Sequence, residues 1–359
     1  MHDIIVIGGG IAGISVAARL APQAKVLLLE AEESLAYHAS GRSAALYESN
    51  YGLASTVALS KASANYFHEA NGGYLTPRGL MVLGQPDEYQ AFLSDTKTLG
   101  LEQISITEAQ ALVPILNPDT VSHASYHTSA WDIDTDRMVQ DFARNIRAEG
   151  GRIVLRSPVI ALERSSKGWI VSTPNAHFEA ALVVNAAGAW VDNLAKLAGL
   201  SPLGFTPLRR SMARIPAPGG HDVATWPMFF GVGEQWYAKP DAGALIVSPA
   251  EEDAMPPMDA WADDMVLAEG LARYEAMVTE PVSRLEANWA GLRTFSPDRH
   301  LTIGFHGEDP SFFWFAGQGG YGFQTAPAAS QLAADLILGR ASDIDAATRA
   351  ALNPRRFLP

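Results

Sequence analysis

The chain has 359 residues, a formal net charge of −13 and no cysteine. That length provides for one or two domains with ample buried volume, and the acidic balance argues against nucleic acid or an anionic membrane surface as partner. Without cysteine there are no disulfides, thiolate zinc sites or cysteine nucleophiles, which fits a reducing compartment.

The one long apolar stretch, IIVIGGGIAGISVAARLA, follows MHD with no basic segment, is interrupted by glycines and contains Arg19. It therefore reads as neither a signal peptide nor a membrane span, and a cytoplasmic location is expected. Within it, the β-branched run 3–7 ends at Gly8 and suits a strand buried on both faces of a parallel sheet. Gly8, Gly10 and Gly13 follow in the G-x-G-x-x-G spacing and open a helical pattern. Glycines there let the backbone turn and approach a pyrophosphate, and the helix offers its N-terminal N–H groups and dipole. A second apolar strand, KVLLLE, ends at Glu30, placed to bond a ribose hydroxyl. This is a dinucleotide fingerprint in full context. The chain then enters AYHASGRSAALYESNYG, whose small and hydroxyl residues can run along an extended cofactor. Ser40, Gly41, Arg42 and Ser43 suit phosphates and ribityl hydroxyls, which favours FAD over a nicotinamide dinucleotide.

Further on, DIDTDRMVQDFARNIRAEGG predicts one amphipathic helix, with acids and Thr135 ahead of it and two glycines after. From residue 152 a small strand meander turns at SSKG and TPNA and ends in VVNAAGAWVDNLAKLAG, a strand, small-residue loop and helix. Residues 205–290 read as antiparallel strands, with PDAG closing a hairpin and 259–276 helical. A third glycine-rich strand-to-helix junction, FFWFAGQGGYGFQTAPAASQ, has Pro327 near its helix start and Gly339 past its end. The expected class is α/β. A Rossmann-like FAD-binding domain (1–75, 138–205 and 291–359) carries an inserted α+β substrate domain on a mainly antiparallel sheet (76–137 and 206–290).

Taken in order, IIVIGGGIAG, GRSAALY, VVNAAGAW, RRSMA, WYAKPDAG, WAGLRTFSPD and GQGGYGFQTAPA resemble the FAD-dependent D-amino acid oxidase and glycine oxidase family over nearly the whole chain. Within it they are most similar to the bacterial D-arginine dehydrogenase type. The resemblance implies non-covalent FAD and oxidation of an amino acid to its imino acid by hydride transfer, followed by hydrolysis to a 2-oxo acid and ammonia. It implies Gly8, Gly10, Ala12 and Gly13 at the pyrophosphate and Glu30, with Ala31 beside it, at the adenosine ribose. Ala39, Ser40, Gly41, Arg42, Ser43, Ala44, Ala45 and Leu46 would run along the cofactor, Val159 would meet the adenine and Gly188 the phosphates. Gly291 and the loop of Gly319, Gly320, Tyr321, Gly322, Phe323, Gln324 and Thr325 would face the flavin. Tyr51, Arg210, Tyr237, Arg293 and Gly320 would hold the substrate.

An amino acid brings a carboxylate into a site that excludes water, and a buried anion needs a partner. Arginine supplies a planar, permanently charged fork. Arg293 and Arg210, on predicted strands, are the partners that the resemblance implies, and of the neighbours Arg209 and Arg210 only one can reach the site, because successive strand side chains point to opposite faces. Tyr51 is expected to cover the substrate from a loop. Where the D-arginine type carries a glutamate this chain has Leu80, and where it carries a histidine and a threonine this chain has Leu46 and Glu48. With Met228 and Phe230 as further lining, an apolar or aromatic side chain is favoured, whereas an inward-turned Glu48 would admit a cationic one. His123 and His127 stand four apart but lack a third ligand nearby, so no metal is expected. No G-x-S-x-G elbow is present. The alternatives are oxidation of a secondary amine such as sarcosine, oxidation of a 2-hydroxy acid, which requires a base, or a non-catalytic flavin-binding subunit, which has no need of a carboxylate clamp. The electron acceptor, oxygen or a quinone-like molecule, is open.

Overall fold

The run HDIIVI forms the strand His2–Ile7, whose last four residues are buried. It is apolar without alternation because it lies between two parallel neighbours, Val26–Leu29 and Ala176–Asn185. The sheet continues past Val26–Leu29 to Arg152–Val154, and past Ala176–Asn185 to Asp309–Ala316 and Thr302–His306. The first half of Ala176–Asn185 also closes the meander with Ala161–Ser165 and Gly168–Thr173. This computed structural model describes residues 1–357.

Helices Ile11–Leu20, Thr135–Ala148 and Gly322–Ile337 cover one face of this sheet and share a core with it. Thr135–Ala148 buries Met138, Phe142 and Ile146 at a spacing of one turn, each such side chain contributing about 1.5–3 kcal/mol. Its cap is Asp134, whose carboxylate accepts from the N–H of Arg137 at 3.1 Å. On the other face Trp169, Val171, Val191 and Leu194 pack under the meander and the short helix Val191–Leu197.

The second sheet is ordered Asp253–Ala254, Thr206–Pro216, Ala244–Ser248, Tyr237–Asp241, Met228–Gly231, Leu80–Gly84, His123–His127, Glu102–Ile104, with Ala287–Phe295 also on Thr206–Pro216. All pairs are antiparallel except Met228–Gly231 with Leu80–Gly84. The PDAG hairpin turns at Ala242 and Gly243, both at positive φ (46° and 80°), which suits the twist of the flanking strands. A third, three-stranded sheet joins Leu46–Tyr47, Trp131–Ile133 and Leu75–Pro77.

Three local expectations change. The helix expected over 259–276 is Asp264–Glu275. Asp263 caps it by accepting from the N–H groups of Met265 and Val266, and the residues before it run as an irregular strap. Pro327 lies inside Gly322–Ile337, beyond its first turn. Strand Ala287–Phe295 pairs with Thr206–Pro216 along its whole length, across the boundary expected at 290/291. Gly291 and Arg293 therefore belong to the second sheet and reach the first from it. Among the described residues no helix is long and apolar enough to cross a membrane.

The two loop glycines have different duties. A Cβ on Gly13 would stand 1.8 Å from the carbonyl oxygen of Gly8, whereas one on Gly10 would meet only Ser40 Oγ at 3.2 Å. Gly13→Ala is expected to destabilise the flavin-free protein by about 3 kcal/mol or more, with Gly10→Ala close to the parent. Denaturant unfolding of the two variants measures the contrast, and equal midpoints would contradict it.

Candidate active site

The strand-loop-helix at the N-terminus puts Gly8 at φ 108°, with no room for a Cβ beside Ala186 O at 2.4 Å. Glu30, buried at the end of its strand, accepts from the N–H of Gly9 at 2.5 Å and of Glu32 at 2.9 Å. A groove of about 370 Å³ runs from Glu30, Ala31 and Val159 past Gly8, Gly10 and Gly188 to Ala39, Ser40, Arg42 and Gly291. It continues into a space of about 120 Å³ bordered by Ala12, Ser43, Gly319, Gly322 and Phe323, and then into one of about 90 Å³. A Cβ on Gly188 would meet nothing within 4 Å, so that glycine borders open space. The groove's length, its glycine floor and its carboxylate at one end suit an extended dinucleotide.

Not every expected cofactor residue lines this groove. Gly13 packs under Gly8, Gly41 sits where a Cβ would be 2.3 Å from Ala36 O, and Thr325 donates within its helix to Tyr321 O at 2.8 Å. These three shape the loops rather than border the groove. Tyr321 lines a mouth at the far end. Arg42 borders the groove, with its guanidinium engaged by the strap and the second sheet. Its guanidinium donates to the carbonyls of Ala260 (3.0 Å) and Ala290 (2.9 Å) and pairs with Asp259 at 2.5 Å. It thus straps the segment before helix Asp264–Glu275 across the groove, where Met258 and Ala260 form part of the wall.

The innermost space, about 90 Å³, is lined by Ala44, Ala45, Leu46, Glu48, Tyr51, Arg210, Tyr237, Arg293, Gly320 and Gln324, among others. The sheet register explains the two arginines. Arg210 pairs with Gly291 and Leu208 with Arg293, so Arg210 and Arg293 are diagonal neighbours on one face. Arg209 points the other way and engages Asp253 at 2.8 Å. Arg210 is buried, donates from Nε to the carbonyl of Glu251 at 3.0 Å, and lies 3.5 Å from the half-exposed Glu252. Its Nη1 is buried and has no hydrogen-bond partner among the described residues. Burial, then the charge of Arg293, pushes the Arg210 guanidinium below its usual value. At Arg293 burial acts the same way, but Tyr237, Tyr51 and Glu234 outweigh it and hold its guanidinium above its usual value. Gly320 is the close approach this requires, since a Cβ there would lie 3.0 Å from Arg293 Nη1. Tyr237 is buried and points its hydroxyl at Met212 Sδ, 3.3 Å away.

One residue escaped the sequence reading. Glu234, at φ 54° in the turn Val232–Glu234, accepts from the Tyr51 hydroxyl at 2.7 Å. The Tyr51 ring also packs on Tyr321 at 5.2 Å between centroids. The two tyrosines and Glu234 close the pocket toward the mouth formed with Asp95, Glu252 and Arg299. The only advance signal was an acid beside a glycine, GVGEQW, in a region of strands. His123 lies against the rings of Tyr89 and Phe92, while His127 Nε2 lies 2.9 Å from Glu48 Oε2.

A dinucleotide groove that runs into a small pocket armed with two guanidiniums defines a flavin-type oxidoreductase site. Residues 3–336 match the family described as FAD dependent oxidoreductase (DAO), and the chain belongs to that family. Its cofactor is FAD, which the groove accommodates. The chain is 25% identical over 379 residues to mitochondrial dimethylglycine dehydrogenase of Homo sapiens, covering 94% of this chain and 42% of that protein. It therefore spans less than half the length of that relative. Among solved structures it is similar to glycine oxidase from Geobacillus kaustophilus (TM-score 0.81, 22% identity, 96% of each chain). It is also similar to L-proline dehydrogenase from P. horikoshii (TM-score 0.83, 21% identity, 99% of this chain and 97% of that one).

Desolvation, then the carboxylate of Glu234, pushes the Tyr51 phenol well above its usual value. It keeps its proton and goes on donating through mildly alkaline pH. Tyr51→Phe removes the donor to Glu234 and so loosens the closure over the pocket; it is expected to raise KM by about tenfold and to leave any alkaline limb of the kcat/KM profile where it was. Disappearance of that limb in Tyr51→Phe would assign the titration to Tyr51 and contradict this placement.

Proposed function

We propose that this protein oxidises a D-amino acid at its α-carbon to the imino acid, which water converts to the 2-oxo acid and ammonia. The observation that carries the reading is the pair Arg210 and Arg293: diagonal on one sheet face, in a pocket continuous with the dinucleotide groove, with Arg210 Nη1 buried and unpartnered. A carboxylate bound across both forks would satisfy them.

In this reading Gly8, Gly10 and the first turn of Ile11–Leu20 receive the pyrophosphate, Glu30 the ribose, and the residues from Ala39 to Leu46 the length of the cofactor. Bound FAD supplies the hydride acceptor. The protein's own work is positional. Arg210 and Arg293 fix the carboxylate, Gly320 lets the substrate come close, and Tyr51 with Glu234 shuts out water that would compete with the reaction. The amino group reacts as the neutral amine, because an ammonium has no lone pair to form the imine. Burial and the Glu234 carboxylate hold the Tyr51 phenol well above its usual value, so it keeps its own proton at neutral pH and cannot take that of the ammonium. The D configuration rests on the resemblance of the sequence motifs to the D-arginine dehydrogenase type, and the side-chain class on the walls. Leu46, Leu80, Leu99, Met228 and Phe230 make the pocket mainly apolar, which favours an apolar or aromatic stem.

A second reading, oxidation of a 2-hydroxy acid, has one observation in its favour. Glu48 is a buried carboxylate bordering the same pocket and could take a hydroxyl proton.

Anaerobic mixing of the flavin-loaded protein with D- and L-amino acids, sarcosine and 2-hydroxy acids separates these readings. Bleaching of the flavin by D-amino acids, with the L-enantiomers slower by about a hundredfold or more, is the expected result. Bleaching by hydroxy acids alone, or by the L-series first, would replace the proposal.

A further inference from the structure

Glu48 is a buried carboxylate of the pocket whose chemistry the proposed amino-acid reaction does not use. It follows the short strand Leu46–Tyr47 and is buried, 3% exposed. Its Oε1 accepts from the N–H of Asn50 at 2.9 Å. Its Oε2 lies 2.9 Å from His127 Nε2, yet neither atom is aligned for a hydrogen bond with any described residue. His127 Nδ1 accepts from the N–H of Ser129 at 2.9 Å, so the neutral ring carries its proton on Nε2, on the side of Glu48. The histidine is held there by the sheet, where it pairs with Leu80 across the ladder.

The place of this carboxylate in the pocket matters. Arg210, Arg293 and Gly320 border both the innermost space and the one next to it on the cofactor side, whereas Glu48, Leu80 and Met228 border only the innermost space. A substrate whose carboxylate is held by the arginines therefore extends its side chain toward Glu48. The surrounding Leu46, Leu80, Met228 and Phe230 side chains offer no donor. A buried carboxylate with an unaligned oxygen is costly unless something donates to it.

We propose that Glu48, backed by His127, is a specificity-determining residue that accepts a hydrogen bond from the end of the substrate's side chain, so that the enzyme selects amino acids with an apolar stem ending in an N–H or O–H donor. The inference rests on the amino-acid reading of the site. It gives Glu48 a binding role and no part in proton transfer from the reacting carbon. It also predicts that a hydrocarbon side chain is disfavoured, because filling the pocket with one leaves Glu48 Oε2 buried without an aligned donor.

The test uses matched pairs that differ in the terminal donor: D-tyrosine against D-phenylalanine, and D-lysine against D-norleucine. In the flavin-loaded parent protein, kcat/KM is expected to favour the donor-bearing member of at least one pair by about tenfold or more. Glu48→Leu is expected to bring that ratio to about one. Glu48→Gln keeps an acceptor for Asn50 and for a neutral donor but loses the charge, so it is expected to retain preference for the phenol and lose preference for the ammonium. Flavin content and absorption spectrum confirm that each variant is folded, and a ratio of rates is insensitive to a general loss of active protein. Equal turnover within both pairs, or a preference that survives Glu48→Leu, overturns the inference. Failure of all four amino acids to bleach the flavin would instead overturn the amino-acid reading beneath it.

Discussion

Two guanidiniums brought together on one face of a sheet are the feature around which the rest of the molecule is arranged. Like charges in a desolvated pocket repel, and the lowered affinity of Arg210 for its proton beside Arg293 is the local sign of that cost. The register that pairs Arg210 with Gly291 and Leu208 with Arg293 makes the juxtaposition unavoidable once the strands zip together. A Cβ on Gly320 would press on Arg293 Nη1 at 3.0 Å, and one on Gly319, at φ 51°, would collide with Phe295. In the proposed function an anion completes this place; within the protein Glu251 O and Glu252 partly compensate Arg210, and Tyr237, Tyr51 and Glu234 favour the charge of Arg293.

The anion site is useful only if the cofactor groove ends at it, and two cations tie the sheets into that arrangement. Arg42 leaves the loop beside the groove and binds Asp259 together with the carbonyls of Ala260 and Ala290, all from the second sheet and its strap. Lys239 reaches from the second sheet to the carbonyls of Ala44 (2.7 Å) and Ala45 (3.2 Å) and pairs with Asp132 at 2.9 Å. Each cation spans elements that share no ladder. The segment between Ala39 and Leu46 is thereby anchored at Arg42, Ala44 and Ala45, which keeps the groove and the pocket in line.

How much of this the residues announce depends on whether the signal is local. The strand, glycine loop and helix at the N-terminus are legible because their signal is written within a few consecutive residues, and Gly8 and Gly13 do stand where a Cβ would strike backbone. Alternation along RRSMA separates Arg209 from Arg210 for the same local reason. The closure of Tyr51 by Glu234 joins residues far apart in sequence, and no period or motif encodes it. Arg42 looked like a phosphate ligand because its partners, near 259 and 290, are equally remote. The late start of helix Asp264–Glu275 reflects Asp263 capturing two N–H groups, a contact that outweighs the helical pattern ahead of it.

The central claim is that a carboxylate completes the arginine pair, and its most direct measurement is the substrate's need for one. Stopped-flow reduction of the flavin under anaerobic conditions would compare a D-amino acid that the protein oxidises with the amine lacking its carboxyl group and with its carboxamide. The account predicts that second-order reduction by the amine and by the amide is slower by about a thousandfold or more, since each leaves two buried guanidiniums without their anion, a loss on the order of 4 kcal/mol. Reduction by the amine or the amide at a rate within a few-fold of the amino acid would contradict it.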